Sequence, residues 1–131
     1  MSERLGAQAA DAVRRHIANL NALFKPSLRR TLGLDKPDYE AALKLERELI
    51  AKFQTLREQA ERGSLLARYI DAAHTAAQGL EKLTLHLLRQ SRSLEKSWSR
   101  KEFKAKLAEQ QGLELAYLEV GAQLNKEKGT S

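Results

Sequence analysis

Residues 37–90 read PDYEAALKLERELIAKFQTLREQAERGSLLARYIDAAHTAAQGLEKLTLHLLRQ, and this stretch decides the fold. Its first half sets Tyr39, Ala42, Leu43, Glu46, Leu49, Ile50, Phe53, Leu56 and Ala60 at spacings of three and four. Charged residues fill the remaining positions, which is the pattern of an amphipathic helix laid on a core. The second half repeats the pattern with Leu66, Tyr69, Ile70, Ala73, Ala76, Ala77, Leu80, Leu83 and Leu87, and can extend as far as Lys96. Between the halves stand Gly63, suited to stop one helix, and Ser64, which opens the next. So short a link makes the two helices an antiparallel hairpin. The alanines of the second helix suggest close approach by a neighbour. Asp35 is the expected cap of the first, which starts near Pro37.

Before this hairpin, Leu5, Ala9, Val13, Ile17, Leu20 and Phe24 trace one stripe over Glu3 to Phe24. The connection Lys25 to Lys36 breaks the pattern with Pro26 and Gly33, and Leu28, Leu32 and Leu34 are expected to tack it to the core. It is long for a helix–helix link and carries Lys25, Arg29, Arg30 and Lys36.

After the hairpin, Ser99-Arg-Lys-Glu102 is a capping-box pattern. Phe103, Leu107, Leu113, Tyr117, Val120 and Leu124 follow as a main stripe, and Leu115, Leu118 and Ala122 form a second one. Two stripes place this helix either centrally or against another protomer. Gly112 and Gly121 bracket LELAYLEV, whose first residues alternate like a strand, but no partner strand is visible, so a helix is expected throughout. The fold class expected is all-α, an antiparallel bundle of about four amphipathic helices. Residues 1–124 form the domain, and 125–131 a polar tail that frays.

Composition agrees. The chain has 131 residues, 42% of them hydrophobic and 31% charged, enough for one domain with a real core. Leu, Ala, Glu, Lys, Arg and Gln dominate, all strong helix formers. The absence of cysteine excludes disulfides, thiol catalysis and Cys-based metal sites. The N-terminus shows no apolar signal region and no run is long enough to span a bilayer, so the expected location is cytoplasmic.

Catalytic patterns are not found. The three histidines are His16, His74 and His86. Asp71 and His74 could ligate from one helical face, but no second pair completes a bundle metal site, and His86 is turned by about 120° from His74. All three histidines therefore read as surface or boundary residues. Glu46, Glu48 and Glu58 read as ordinary helix charges, with Glu46 alone near the apolar stripe as a boundary residue. No nucleophile elbow or phosphate-cradling glycine loop occurs. The expectation is a non-enzymatic chain with no catalytic residue, metal, cofactor or small-molecule substrate.

The basic segment is more informative. Arg89, Arg92, Lys96, Arg100, Lys101, Lys104 and Lys106 face only Glu95 and Glu102, a net +5 in a chain of net +6. Leu107 to Asn125 reverses sign, with Glu109, Glu114 and Glu119 and no base. Arg89, Arg92 and Lys96 share a helical spacing, and cations suit a helix C-terminus. That explanation fails for Arg100, Lys101 and Lys104, which open a helix where the dipole disfavours cations. An anion there would meet backbone N–H groups and side-chain cations together. Trp98, the only tryptophan, sits between the clusters, placed to stack on a base or to pack beneath arginines. Two functional classes follow. One is a nucleic-acid-associated accessory subunit that contacts phosphates through this patch. The other is an interaction protein, an adaptor, chaperone-like factor or dimeric scaffold, using Leu115, Leu118 and Ala122. An acidic protein or an anionic membrane surface is a further candidate partner for the patch.

Overall fold

Four helices form where the stripes place them: α1 (Ser2–Phe24), α2 (Tyr39–Gln59), α3 (Leu65–Ser91) and α4 (Arg100–Gly129). The structure is a computed structural model that describes residues 2–24 and 37–129. The expected anchors Leu28, Leu32 and Leu34 lie outside the described residues, and the cap expected at Asp35 is supplied instead by Asp38. The protein is an all-α four-helix bundle.

Local sequence explains the helix ends. Asp38 caps α2, its carboxylate accepting the Ala41 N–H at 3.0 Å. Gly63, at φ 81°, reverses the chain, and the Ser64 hydroxyl caps α3 by accepting from the Ala67 N–H at 3.1 Å. α3 stops at Ser91, short of the Lys96 limit. The Leu94 N–H donates to the Arg89 carbonyl and the Ser93 N–H to the Gln90 carbonyl, a Schellman stop with Ser93 in the left-handed region at φ 58°. Ser99 accepts the Glu102 N–H at 3.1 Å as the expected cap, but the Glu102 carboxylate reaches back to the Ser99 hydroxyl and not to its backbone N–H, so only half of the expected box forms. α4 is one unbroken helix through Gly112 and Gly121 and on past Asn125 to Gly129.

Neighbouring helices run antiparallel, as cross-contacts such as Gln8 with Lys52 and His16 with Glu46 indicate for α1 and α2. Core packing centres on α3, whose Ala73, Ala76 and Ala77 are buried among Val13, Phe53, Leu56 and Tyr117. At Gly79 of α3, side chains of α4 fill the space a side chain would take. A Cβ there would lie 2.5 Å from the Gln110 side-chain oxygen and 2.7 Å from Leu113. A second cluster of Leu23, Ala42, Leu80 and Leu83 closes the end where α1 finishes and α4 begins. The α1–α4 seam stays open: their backbones remain more than 8 Å apart at the Cα atoms, whereas the other three adjacent pairs pack closely. Among the described residues no helix is long and apolar enough to cross a membrane.

Candidate functional site

The centre of the bundle is polar. His16 on α1 is 1% exposed and stands between two carboxylates, correcting its reading as a surface or boundary residue. Its Nδ1 faces Glu46 of α2 at 3.0 and 3.1 Å, and its Nε2 faces Glu114 of α4 at 2.8 and 2.9 Å. Glu46 is fully buried, not a boundary residue. Asn19 donates to a Glu46 oxygen at 3.2 Å and to the Ala42 carbonyl. Gln110 donates to Glu114 at 2.8 Å and to the Ala76 carbonyl of α3, and the Tyr117 hydroxyl donates to Glu114 at 2.5 Å. All four helices therefore meet at this network.

Its electrostatics follow from the partners. Burial alone would depress the His16 pKa, but hydrogen bonds and charge from Glu114 and Glu46 outweigh it and push the ring up to about 9. Burial would raise Glu114, but hydrogen bonding and charge from His16, with bonds from Tyr117 and Gln110, hold it below the usual carboxylate value. Burial and the Glu114 acceptor raise Tyr117. Every contact on either carboxylate comes from a donor, which suits an imidazolium clasped by two carboxylates. Both ring nitrogens are occupied, and among the described residues no group of three or more His, Asp or Glu is arranged to hold a metal ion.

Sequence reasoning missed this centre, although its signal was present. His16 lies seven residues after Ala9 and four after Ala12, on the buried face of α1. Glu46 falls between Leu43 and Leu49 on α2, and Glu114 lies three before Tyr117 on α4.

The other two histidines are unrelated to it. His74 is held below the usual value by burial first and then by Arg57, opposed by Asp71, which pairs with Arg57 at 2.5 Å. His86 meets Glu95 at 2.8 Å.

Beside the centre, the open seam forms a cleft of about 320 Å³ between α1 and α4, with Leu20, Phe24, Leu107, Gln110, Gln111 and Glu114 in its walls. A larger groove of about 570 Å³ between α1 and α2 is rimmed by charges of both signs, including Arg4, Asp11, Glu48 and Lys52.

The basic residues gather at one end of the bundle. Arg89, Arg92, Lys96, Arg100, Lys101, Lys104 and Lys106 are all exposed. The helical face expected to join Arg89, Arg92 and Lys96 does not form, because α3 ends at Ser91 and Lys96 lies in the link. Acidic groups at this end have other partners: Glu40 with Arg92, Glu95 with His86, Glu102 with Ser99, and Asp38 as a cap. Apart from Arg92, the seven cations form no ion pair with a described residue. Trp98 is half-buried against the second core cluster, its ring 5.3 Å from that of His86. It packs on core residues and beside His86, and among the described residues no arginine stacks on it as the sequence reading allowed. Leu94, 71% exposed, stands among these cations.

The second stripe of α4 faces solvent. Leu115 is 59% and Leu118 49% exposed, and Ala122 is exposed beside them. α4 is therefore peripheral on that side and not the central helix that one reading of its two stripes allowed. No family model, curated protein or solved structure matches the chain.

Proposed function

We propose that this protein is a non-enzymatic binding protein that holds a nucleic-acid phosphate backbone against the basic end of the bundle. One observation carries the reading: six exposed cations that form no ion pair with a described residue run from the end of α3 into the first turns of α4, while Glu95 and Glu102 among them are engaged by His86 and Ser99. Phosphate oxygens are the group such an arrangement satisfies, through side-chain cations and helix N–H groups together. Phe24, at the end of α1, packs near Phe103 at this same end, with ring centroids 6.1 Å apart. Contacts of this kind position the protein without reading base sequence.

Fluorescence anisotropy against duplex DNA and structured RNA over a salt series tests the proposal. Engagement of about five phosphates gives a log–log salt slope near −4.5 on duplex DNA. Absence of binding at low salt, or binding unchanged by the combined Arg89→Ala, Arg100→Ala and Lys101→Ala variant, rejects it.

The exposure of Leu115 and Leu118 favours a second reading, self-association through the outer face of α4. Light scattering at high concentration distinguishes a dimer from a monomer. Leu118→Asp is expected to abolish the dimer while leaving helix content intact, and a strict monomer in the parent protein removes this reading.

A further inference from the structure

The buried centre carries more negative charge than its own residues offset. The imidazole of His16 balances at most one of the Glu46 and Glu114 charges. Among the described residues no lysine or arginine touches either carboxylate. An uncompensated buried charge is costly, and a cation held nearby relieves it. Glu114, 7% exposed, and Gln110, 3% exposed, bring this excess to the wall of the α1–α4 cleft. Its other walls are apolar, with the half-buried Leu20, Phe24 and Leu107. Its volume of about 320 Å³ is in the range of small-ligand sites, and its mix of apolar walls with few polar groups is their usual make-up.

We propose that this cleft binds a small organic cation, a primary ammonium on a compact apolar body. The ammonium lies against Glu114 and the side-chain oxygen of Gln111, while the Gln110 oxygen faces Gly79 of α3. The body fills the space between Leu20, Phe24 and Leu107. Its Phe24 and Leu107 walls adjoin the basic end, so the ligand's charge is held inward at Glu114, and its binding is read independently of phosphate binding.

Three probes of one shape separate charge from apolar filling: benzylammonium, benzyl alcohol and benzoate, followed by amide shifts in 15N-labelled protein at constant ionic strength. Benzylammonium is expected to give saturable shifts at Asn21, Phe24 and Gln111, binding at least about tenfold more tightly than the alcohol, with no saturation by benzoate. Gln111→Lys sets a tethered ammonium at the rim, three residues from Glu114 on the same helix. It is expected to weaken benzylammonium by about tenfold or more and to raise Tm. Gln111→Glu, which keeps the cleft open, retains binding. The proposal is overturned if benzylammonium gives no saturable shifts, if the alcohol binds equally well, if the shifts map elsewhere, or if Gln111→Lys leaves binding unchanged.

Discussion

Two charge clusters sit in one bundle and are resolved in opposite ways. At the centre, His16, Glu46 and Glu114 meet within hydrogen-bond distance, closed in by Asn19, Gln110 and Tyr117. At the basic end, six of the seven cations remain exposed and form no ion pair with a described residue; Glu40 pairs with the seventh, Arg92, while Asp38 caps a helix and Glu95 and Glu102 are engaged by His86 and Ser99. The centre answers, in large part, a problem internal to the fold, because buried charge must be met by partners where it lies, here one imidazole and three neutral donors for two carboxylates. The end poses a problem that water and salt already solve, so its arrangement costs the fold little and leaves the cations available to a partner.

The contrast breaks most sharply at His16. His16→Leu leaves Glu46 and Glu114 facing one another without the cation between them. Loss of one member of a buried ionic set costs about 3–5 kcal/mol, and urea unfolding is expected to report a loss in that range. Adding Glu46→Leu and Glu114→Met should recover most of it, since an apolar replacement of a whole buried set is often neutral or better. A small penalty for His16→Leu alone would mean that water reaches the centre through the seam.

The same centre makes stability depend on pH. The folded pKa of His16, about 9, stands above its ordinary 6.5, so its contribution is complete below pH 6.5 and is lost as pH rises toward 9. A shift of this size corresponds to about 3 kcal/mol. Glu114 acts on the acid side. Its folded pKa is lowered, so its contribution is present above pH 4.5 and lost as pH falls through the folded value. Stability is expected to be flat and maximal between about pH 4.5 and 6.5 and to decline at alkaline pH. His74, held below its ordinary value, adds a rise in stability that ends near pH 6.5 and so tilts the acid side of this profile, and a His74→Gln background removes that tilt. A profile flat to pH 9 in that background would contradict the clasped imidazolium.

Gly79 sharpens the comparison between packed and open helix. Alanine suits a helix interior better than glycine by about 1 kcal/mol. At Gly79, however, the new methyl meets Gln110, which holds Glu114, and Leu113. Gly79→Ala is therefore expected to destabilise by about 1–3 kcal/mol through overpacking. At Gly112 nothing lies within 4 Å of an added Cβ, so Gly112→Ala should be neutral or stabilising. Thermal unfolding of the two variants gives opposite signs if α4 is seated as described.

The fold was legible because apolar spacing carries it. The 37–90 hairpin, the Ser64 start, the Ser99 cap and the continuity of α4 all followed from period and local end chemistry. The centre was not legible, because periodicity reports where a helix faces inward and not what its polar intrusions meet. His16, Glu46 and Glu114 each occupy an inward position, and each alone resembles a boundary residue. Their separations of 30 and 98 residues put the match beyond any local pattern. Reading inward-facing polar residues of opposite sign together, one per helix, would have raised the pairing. The end of α3 was misplaced because Ser93 takes a left-handed conformation that glycine usually supplies, so no residue announced the stop.

The smallest effect on stability is expected at the basic end, where the difference between the clusters can be tested from the other side. Arg100 and Lys101 open α4, where the helix dipole favours acids by about 0.3–1 kcal/mol per residue. Arg100→Glu with Lys101→Glu should therefore leave the bundle as stable as the parent or slightly more so. If those cations were retained for folding, the reversal would destabilise. If they are retained for a phosphate partner, it removes binding at low salt while Tm holds or rises. The two measurements on one variant separate a charge placed for the fold from a charge the fold merely tolerates.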